Sequence, residues 1–289
     1  MKIIIISDIR GTSKSIIPFG LKLARHLESE ADVVHVIDSR SEKVLPSSYS
    51  DSQTFALGGE KFSYKDTLQR EISRTKQGLN DLLSKEASRL NYPLKVISII
   101  EENSIEAKIR EYMNREPFPL FLMNAQPDGH IFSSQKEMIN ITNNAGAVCL
   151  LIPPGRLFKE FEKIILPTDF RLNDIDSYKN ASIFFKPFNY TLEAINISKT
   201  RTFLISDTRV TEWERIMSGF FSHKDINTSI VRGTNHVNTL INYLNNNNPD
   251  LVMLFRKKQS LIRNLLTGSL ALRIIRRTSI PVLLYSKAN

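Results

Sequence analysis

The chain of 289 residues is poor in the features on which secreted, membrane and metal-dependent proteins rely. It has one cysteine, Cys149, so no internal disulfide can form, and a reducing, cytoplasmic setting is expected. The N-terminal apolar run, Ile3 to Ile6, ends on Ser7-Asp8, too short for a signal-peptide core or a membrane span, and no membrane insertion is expected. The phosphate-loop pattern G-x4-G-K-[ST] is missing. His26, His35, His130, His223 and His236 stand at no metal-ligand spacing and have no cysteine partners. His35, inside an apolar strand, reads as a core residue. Ser7, Thr168 and Ser269 sit in no nucleophile elbow, and no pair of carboxylates is spaced for acid–base work. The single tryptophan, Trp213, shares a helical face with Ile216 and Phe220, which points to packing. A non-enzymatic protein is the expectation.

What is present is a repeat. Lys2-Ile3-Ile4-Ile5-Ile6-Ser7-Asp8 opens the chain, and Lys163-Ile164-Ile165-Leu166-Pro167-Thr168-Asp169 opens it again 161 positions later (163 − 2). Each half closes on another apolar run, Ala147–Ile152 and Ile280–Tyr285. A length of 289 residues accommodates two domains with a core each, here 1–154 and 163–289, joined through Pro153-Pro154-Gly155. The net charge of +9 falls entirely in the second half: residues 1–154 carry 19 basic against 19 acidic groups, and the remainder 20 against 11. From Leu251 onward there are eight basic residues and no acidic one. That segment could draw in a polyanion with steep salt dependence, or be a solvated helix face; the lack of interleaved aromatics argues against nucleic acid.

Patterning predicts alternating strands and helices in both halves. In the first, strands are expected at Lys2–Ser7, Asp32–Val36, Leu94–Ile100, Leu120–Met123 and the closing run. The helices there run from a Thr12 or Ser13 cap to Leu27, and over Lys65–Leu90, Ile105–Met113 and Ser134–Asn143. The polar stretch Asp38–Ser63 reads as a loop or lid. In the second half, strands are expected near Lys163–Pro167, Thr191–Ile197, Asn227–Val231, Leu251–Phe255 and Val282–Tyr285. Helices should cover Asp176–Phe185, Val210–Phe220, Val237–Leu244 and Leu270–Arg277. This is an α/β fold of two tandem doubly wound domains, each a five-stranded parallel sheet of order 3-2-1-4-5 flanked by helices. Ligands of such sheets bind beyond the carboxyl ends of strands 1 and 4. Those loops hold Asp8 with Ala125–Gln135, and Asp169 with Arg256–Ser269.

Here the chain resembles the universal stress protein family in its tandem form. Ser7-Asp8 and Val33-Val34-His35-Val36-Ile37-Asp38 look like that family's first two strand ends. Leu265-Leu266-Thr267-Gly268-Ser269, the following helix and Ser279-Ile280-Pro281-Val282 look like the end of its signature G-x2-G-x9-G-[ST] and the strand beyond. The resemblance implies a nucleotide site of Asp169, Arg256, Lys258, Gly268 and Ser269, with Asp8 and Val36 as the remnant in the first half, and ATP or another adenine nucleotide as its ligand. It also implies pairing of the two halves through their closing strands as an internal pseudo-dimer, with homo-oligomers and a protein partner of unknown identity as further associations. The signature is degenerate, however. Its two upstream glycines fall on Phe255 and Lys258, where a β-carbon obstructs approach of backbone N–H groups to phosphate, and Arg256-Lys257-Lys258 stands there instead. The first half has Gly129 but no Gly-Ser pair. Gly268-Ser269 also reads simply as a helix entry capped by Ser269. The expected function is a non-enzymatic stress-response or interaction protein with weak or lost nucleotide binding. The alternative is an adenine-nucleotide-binding stress protein acting through its second domain.

Overall fold

The computed structural model describes residues 1–7, 15–37, 55–57, 60–62, 64–90, 95–127, 131–198, 207–221, 225–256 and 268–286. The first half contains β1 (Lys2–Ile6), α1 (Ile16–His26), β2 (Glu30–Ile37), β3 (Phe55–Leu57), β4 (Glu60–Phe62) and α2 (Tyr64–Leu90). It continues with β5 (Val96–Glu102), α3 (Ile105–Arg115), β6 (Pro119–Asn124), α4 (Gln135–Asn144) and β7 (Val148–Ile152). The second half contains β8 (Lys163–Pro167), α5 (Leu172–Ser182) with a 3-10 turn at Ile183–Phe185, β9 (Thr191–Ser198) and α6 (Asp207–Phe220). After these come β10 (Asp225–Arg232), α7 (His236–Asn247), β11 (Leu251–Arg256), α8 (Gly268–Arg277) and β12 (Val282–Ser286).

Ten strands form one sheet in the order β10-β9-β8-β11-β12-β7-β6-β1-β2-β5. Each half therefore has the expected order 3-2-1-4-5. Pairing within each half is parallel, and the halves join where β12 runs antiparallel to β7, with Leu283 opposite Leu150 and Leu284 opposite Cys149. Continuous apolar strands suit this arrangement because both faces are covered. Ile3, Ile5, Leu150, Leu166 and Met253 enter one core layer, while Ile4, Ile6, Cys149, Ile165 and Leu254 enter the other. The two halves share both layers.

Several expected boundaries move. The polar stretch read as a loop or lid contains the short antiparallel pair β3–β4, with Phe55 opposite Phe62 and Leu57 opposite Glu60. The sequence between them, Gly58-Gly59, is the composition that a two-residue hairpin connection calls for. The Thr12 and Ser13 cap candidates lie outside the described residues, and α1 starts at Ile16 with Pro18 in its first turn. Helix α5 begins four residues earlier than expected, at Leu172, because Asp174 anchors its first turn. On α6 the inner stripe is Trp213 and Met217, continued by Phe221 just past the helix end, all buried, while Phe220 is 54% exposed under the Lys179 ammonium. The helical period simply favours i, i+4, i+8 over i, i+3, i+7 here. Asn248 ends α7 in a left-handed conformation (φ 43°), as its asparagine run predicts.

The segment after Pro153-Pro154-Gly155 is pinned rather than loose. Phe158 packs edge-on against Phe19 at 5.4 Å, and Phe161 contacts the rings of Phe185 and Phe188. His26 at the end of α1 stacks on Phe188 at 4.3 Å, so a first-half helix touches the second half directly.

Candidate functional site

The carboxyl edge of the sheet is built twice on one plan. Ser7 N–H donates to Val34 O (3.1 Å), and Thr168 N–H donates to Ile195 O (2.8 Å). One strand over, His35 Nδ1 lies 3.1 Å from Ser7 O, and Asn196 Nδ2 lies 2.8 Å from Thr168 O. The positions in each pairing are again 161 apart. A carbonyl only accepts, so Nδ1 of His35 carries its hydrogen, and the asparagine amide does the same task in the second copy. His35 is a fully buried core residue, as expected.

The two copies differ in how far they zip. In the first half the ladder between strands 1 and 4 holds from Lys2–Pro119 to Ile6–Met123. In the second half it ends at Ile165–Val252, two residues before the strand does. Pro167 has no N–H to give to that edge. The crevice at the reversal point is thus more open in the second copy.

Around Asp169 the turn is organised by a residue that sequence reasoning missed. Asp174, fully buried in the first turn of α5, accepts from Thr168 Oγ1 (2.5 Å) and from the Asp169 N–H (3.1 Å). Phe170 N–H in turn donates to Thr168 Oγ1 (2.9 Å), and Phe170 takes a left-handed backbone (φ 54°). An acid in a first helical turn is favoured by the helix dipole, and that was the available signal. The Asp169 carboxylate is 5% exposed; among the described residues its Oδ2 has no hydrogen-bond partner, and it faces Arg171 Nε at 3.9 Å. Arg171 was also missed. Asp8-Ile9-Arg10 and Asp169-Phe170-Arg171 repeat the same acid–apolar–arginine triplet, which marks it in both halves.

The other expected site residues fall as follows. Arg256 ends β11 opposite Ser286, beside β8 and so on the same edge as Asp169. Phe255 is neither loop nor glycine: it lies inside β11, 3% exposed, with its ring edge-on to Tyr285 at 6.0 Å. Helix α8 starts at Gly268, so Ser269 is in the first turn instead of at the cap position; the reading of Ser269 as N-cap is corrected by the earlier start. Val36 is a core side chain of β2, 4% exposed, leaving only its backbone for a ligand. Asp8, Lys258 and Gly129 lie outside the described residues.

In the first half, the place of the Gly-Ser entry is taken by Gln135, the first residue of α4 and 8% exposed. Its amide donates to Ala125 O at the end of β6, and its carbonyl accepts from Arg276 Nε of α8 (2.8 Å). A side chain and a guanidinium from the other half thereby occupy the helix start where an anion would sit. Among the described residues there is no cluster of three or more groups able to hold a metal, and no helix is long and apolar enough to cross a membrane.

Residues 160–286 match the model of the Universal stress protein family. No characterised protein matches by sequence. Among solved structures, the fold is similar to a universal stress protein from Archaeoglobus fulgidus DSM 4304 (TM-score 0.67, 14% identity, covering 100% of this chain and 97% of that one). It is also similar to a functionally unknown protein from Pseudomonas aeruginosa PAO1 (TM-score 0.56, 13% identity, covering 99% and 92%). At these identities the likeness concerns the fold, and it extends over both copies. Residues 160–286 thus carry the sequence of the universal stress protein family, and the first half repeats the same fold.

Proposed function

We propose that this protein performs no chemistry of its own and serves, as a universal stress protein of tandem form, as a stress-response interaction protein in which nucleotide binding is weak or lost. The observation that carries this is Phe255. Where the family opens a glycine loop for phosphate, this chain continues a strand and buries an aromatic ring. A glycine there would let an anion approach the backbone closely; the phenylalanine puts a β-carbon and a buried ring at that point, within the β11–β12 pairing. The first copy supports the same reading through Gln135 and Arg276. Because β7 and β12 are spent on each other, further chains or protein partners would meet other surfaces, such as the outer strands β5 and β10, where Ile97 and Ile230 are 43% and 42% exposed.

A second reading, adenine-nucleotide binding in the second half, is favoured by the shorter β8–β11 ladder and by Gly268 at the start of α8. One experiment separates the two. The purified protein is denatured, released nucleotide is sought by chromatography, and thermal stability is then measured with added ATP. Binding at a hundredfold excess over Kd would add about 2.7 kcal/mol of stability. We expect no carried-over nucleotide and no shift at millimolar ATP. A saturable shift, abolished by Gly268→Val and retained by Gly129→Val, would establish the second reading instead.

A further inference from the structure

The lead-in to α5 and the first two turns of α6 border a cleft of about 360 Å³, lined by Phe170, Arg171, Leu172, Arg209, Glu212 and Trp213. Its size is at the small end of the range for organic ligands. None of these residues belongs to the nucleotide signature. Phe170 and Trp213 are 2% and 1% exposed and pack edge-on with centroids 5.4 Å apart, so they form an aromatic floor. Leu172, 63% exposed, adds an apolar wall at the rim. Arg209, Glu212 and Trp213 project from one face of α6 because they are spaced i, i+3 and i+4.

The cleft has a distinct polarity. Two guanidinium groups stand at it: Arg171, which faces the Asp169 carboxylate at 3.9 Å, and Arg209, which has no ion pair among the described residues. The one carboxylate at the rim, Glu212, is already held by Arg215 through two contacts of 2.8 and 2.9 Å. The Trp213 indole N–H is buried without an acceptor among the described residues. A buried N–H normally finds a partner, and leaving one unsatisfied is costly. An aromatic floor, a buried donor without an acceptor and the Arg209 guanidinium together suit a ligand with an apolar body and one anionic head.

We propose that this cleft is a binding site for a small amphipathic organic anion, with a carboxylate or equivalent head set against Arg209 and an apolar body at Leu172 and the Phe170–Trp213 floor. The site adjoins Asp169 through Arg171 but uses no residue of the phosphate loop, so it does not depend on nucleotide binding. Inorganic anions lack the body and neutral amphiphiles lack the head, so both should bind poorly.

Trp213 is the sole tryptophan, so its emission reports on the site without a label. The full chain is titrated with 4-phenylbutyrate, with 4-phenylbutanol and with inorganic phosphate. The expected result is a saturable change in Trp213 emission with the acid, and binding about tenfold or more weaker for the alcohol, from loss of the charge-assisted hydrogen bonds. Arg209→Met, on an exposed side chain, should weaken the acid by about tenfold while the alcohol is unchanged. Gly268→Val should leave the acid's binding intact. The proposal is overturned by no saturable change at millimolar acid, by acid and alcohol binding alike, by indifference to Arg209→Met, or by loss of binding in Gly268→Val.

Discussion

A few residues set the distances on which everything else in this protein depends. Gly20 is one. It lies in the middle of α1, where glycine is disfavoured, yet a β-carbon placed there would come within 2.7 Å of Leu122 Cδ2 and press on Ile5. Its absence lets α1 rest directly on β1 and β6. Gly20→Ala therefore gains helix propensity but overpacks a full core, and we expect a net loss of about 1–3 kcal/mol in a denaturant titration. Stabilisation would show that the helix can lift without cost. Elsewhere, buried polar residues answer one another in pairs. Tyr112 donates to Asp32 at 2.7 Å, with Lys2 at 3.5 Å from the same carboxylate. In the second copy Tyr243 donates to Glu193, with Lys163 at 3.4 Å. The tyrosines stand on corresponding helices, so the repeat preserved a charge network that no motif announces.

At the scale of elements, Asp250 is the fastening between the linker and the second sheet. At the start of β11 it accepts the Glu162 and Lys163 N–H groups at 2.9 and 3.0 Å and pairs with Lys159 at 2.9 Å. Burial opposes its charge, but these donors outweigh burial and hold its carboxyl below the ordinary range. A depressed folded-state value means the contribution is complete above the unfolded-state value and disappears as pH falls through the folded one. Asp250→Asn should therefore cost about 1–3 kcal/mol at neutral pH, and the gap to the parent protein should close below about pH 4. A gap that persisted at lower pH would assign the effect to packing. The elements also show what the sequence made legible. Strand order, the closing strands and the long helices could be read from apolar period and repeat alone, because parallel strands buried on both faces are nearly continuous in Ile, Val and Leu. What could not be read were features created by side chains meeting across the fold. Asp174 under Thr168, Gln135 with Arg276, and the ring of Phe255 against Tyr285 join residues 6, 141 and 30 positions apart. Of the expected site, Asp169, Arg256 and the start of α8 come to one edge, but Phe255 belongs to the core.

For the whole molecule, the consequence of the repeat is one sheet rather than two. The β7–β12 junction buries Leu150 and Leu283 completely, both core layers run across it, and Arg276 reaches from α8 to Gln135 at the head of α4. Neither half keeps a free closing strand, and an exposed strand edge at that position would be a template for unwanted pairing. Stability should accordingly be a property of the pair. Trp213 reports on the second half only, whereas far-ultraviolet circular dichroism reports on both, so their unfolding transitions should coincide in the parent protein. Leu150→Asp places a charge in the first half with no partner in the core, at a cost of about 3 kcal/mol or more. If the ten strands fold as one unit, the Trp213 transition must move by as much as the dichroism transition, although the substitution lies in the other copy. A Trp213 midpoint unchanged by Leu150→Asp would mean that the halves fold independently and merely touch.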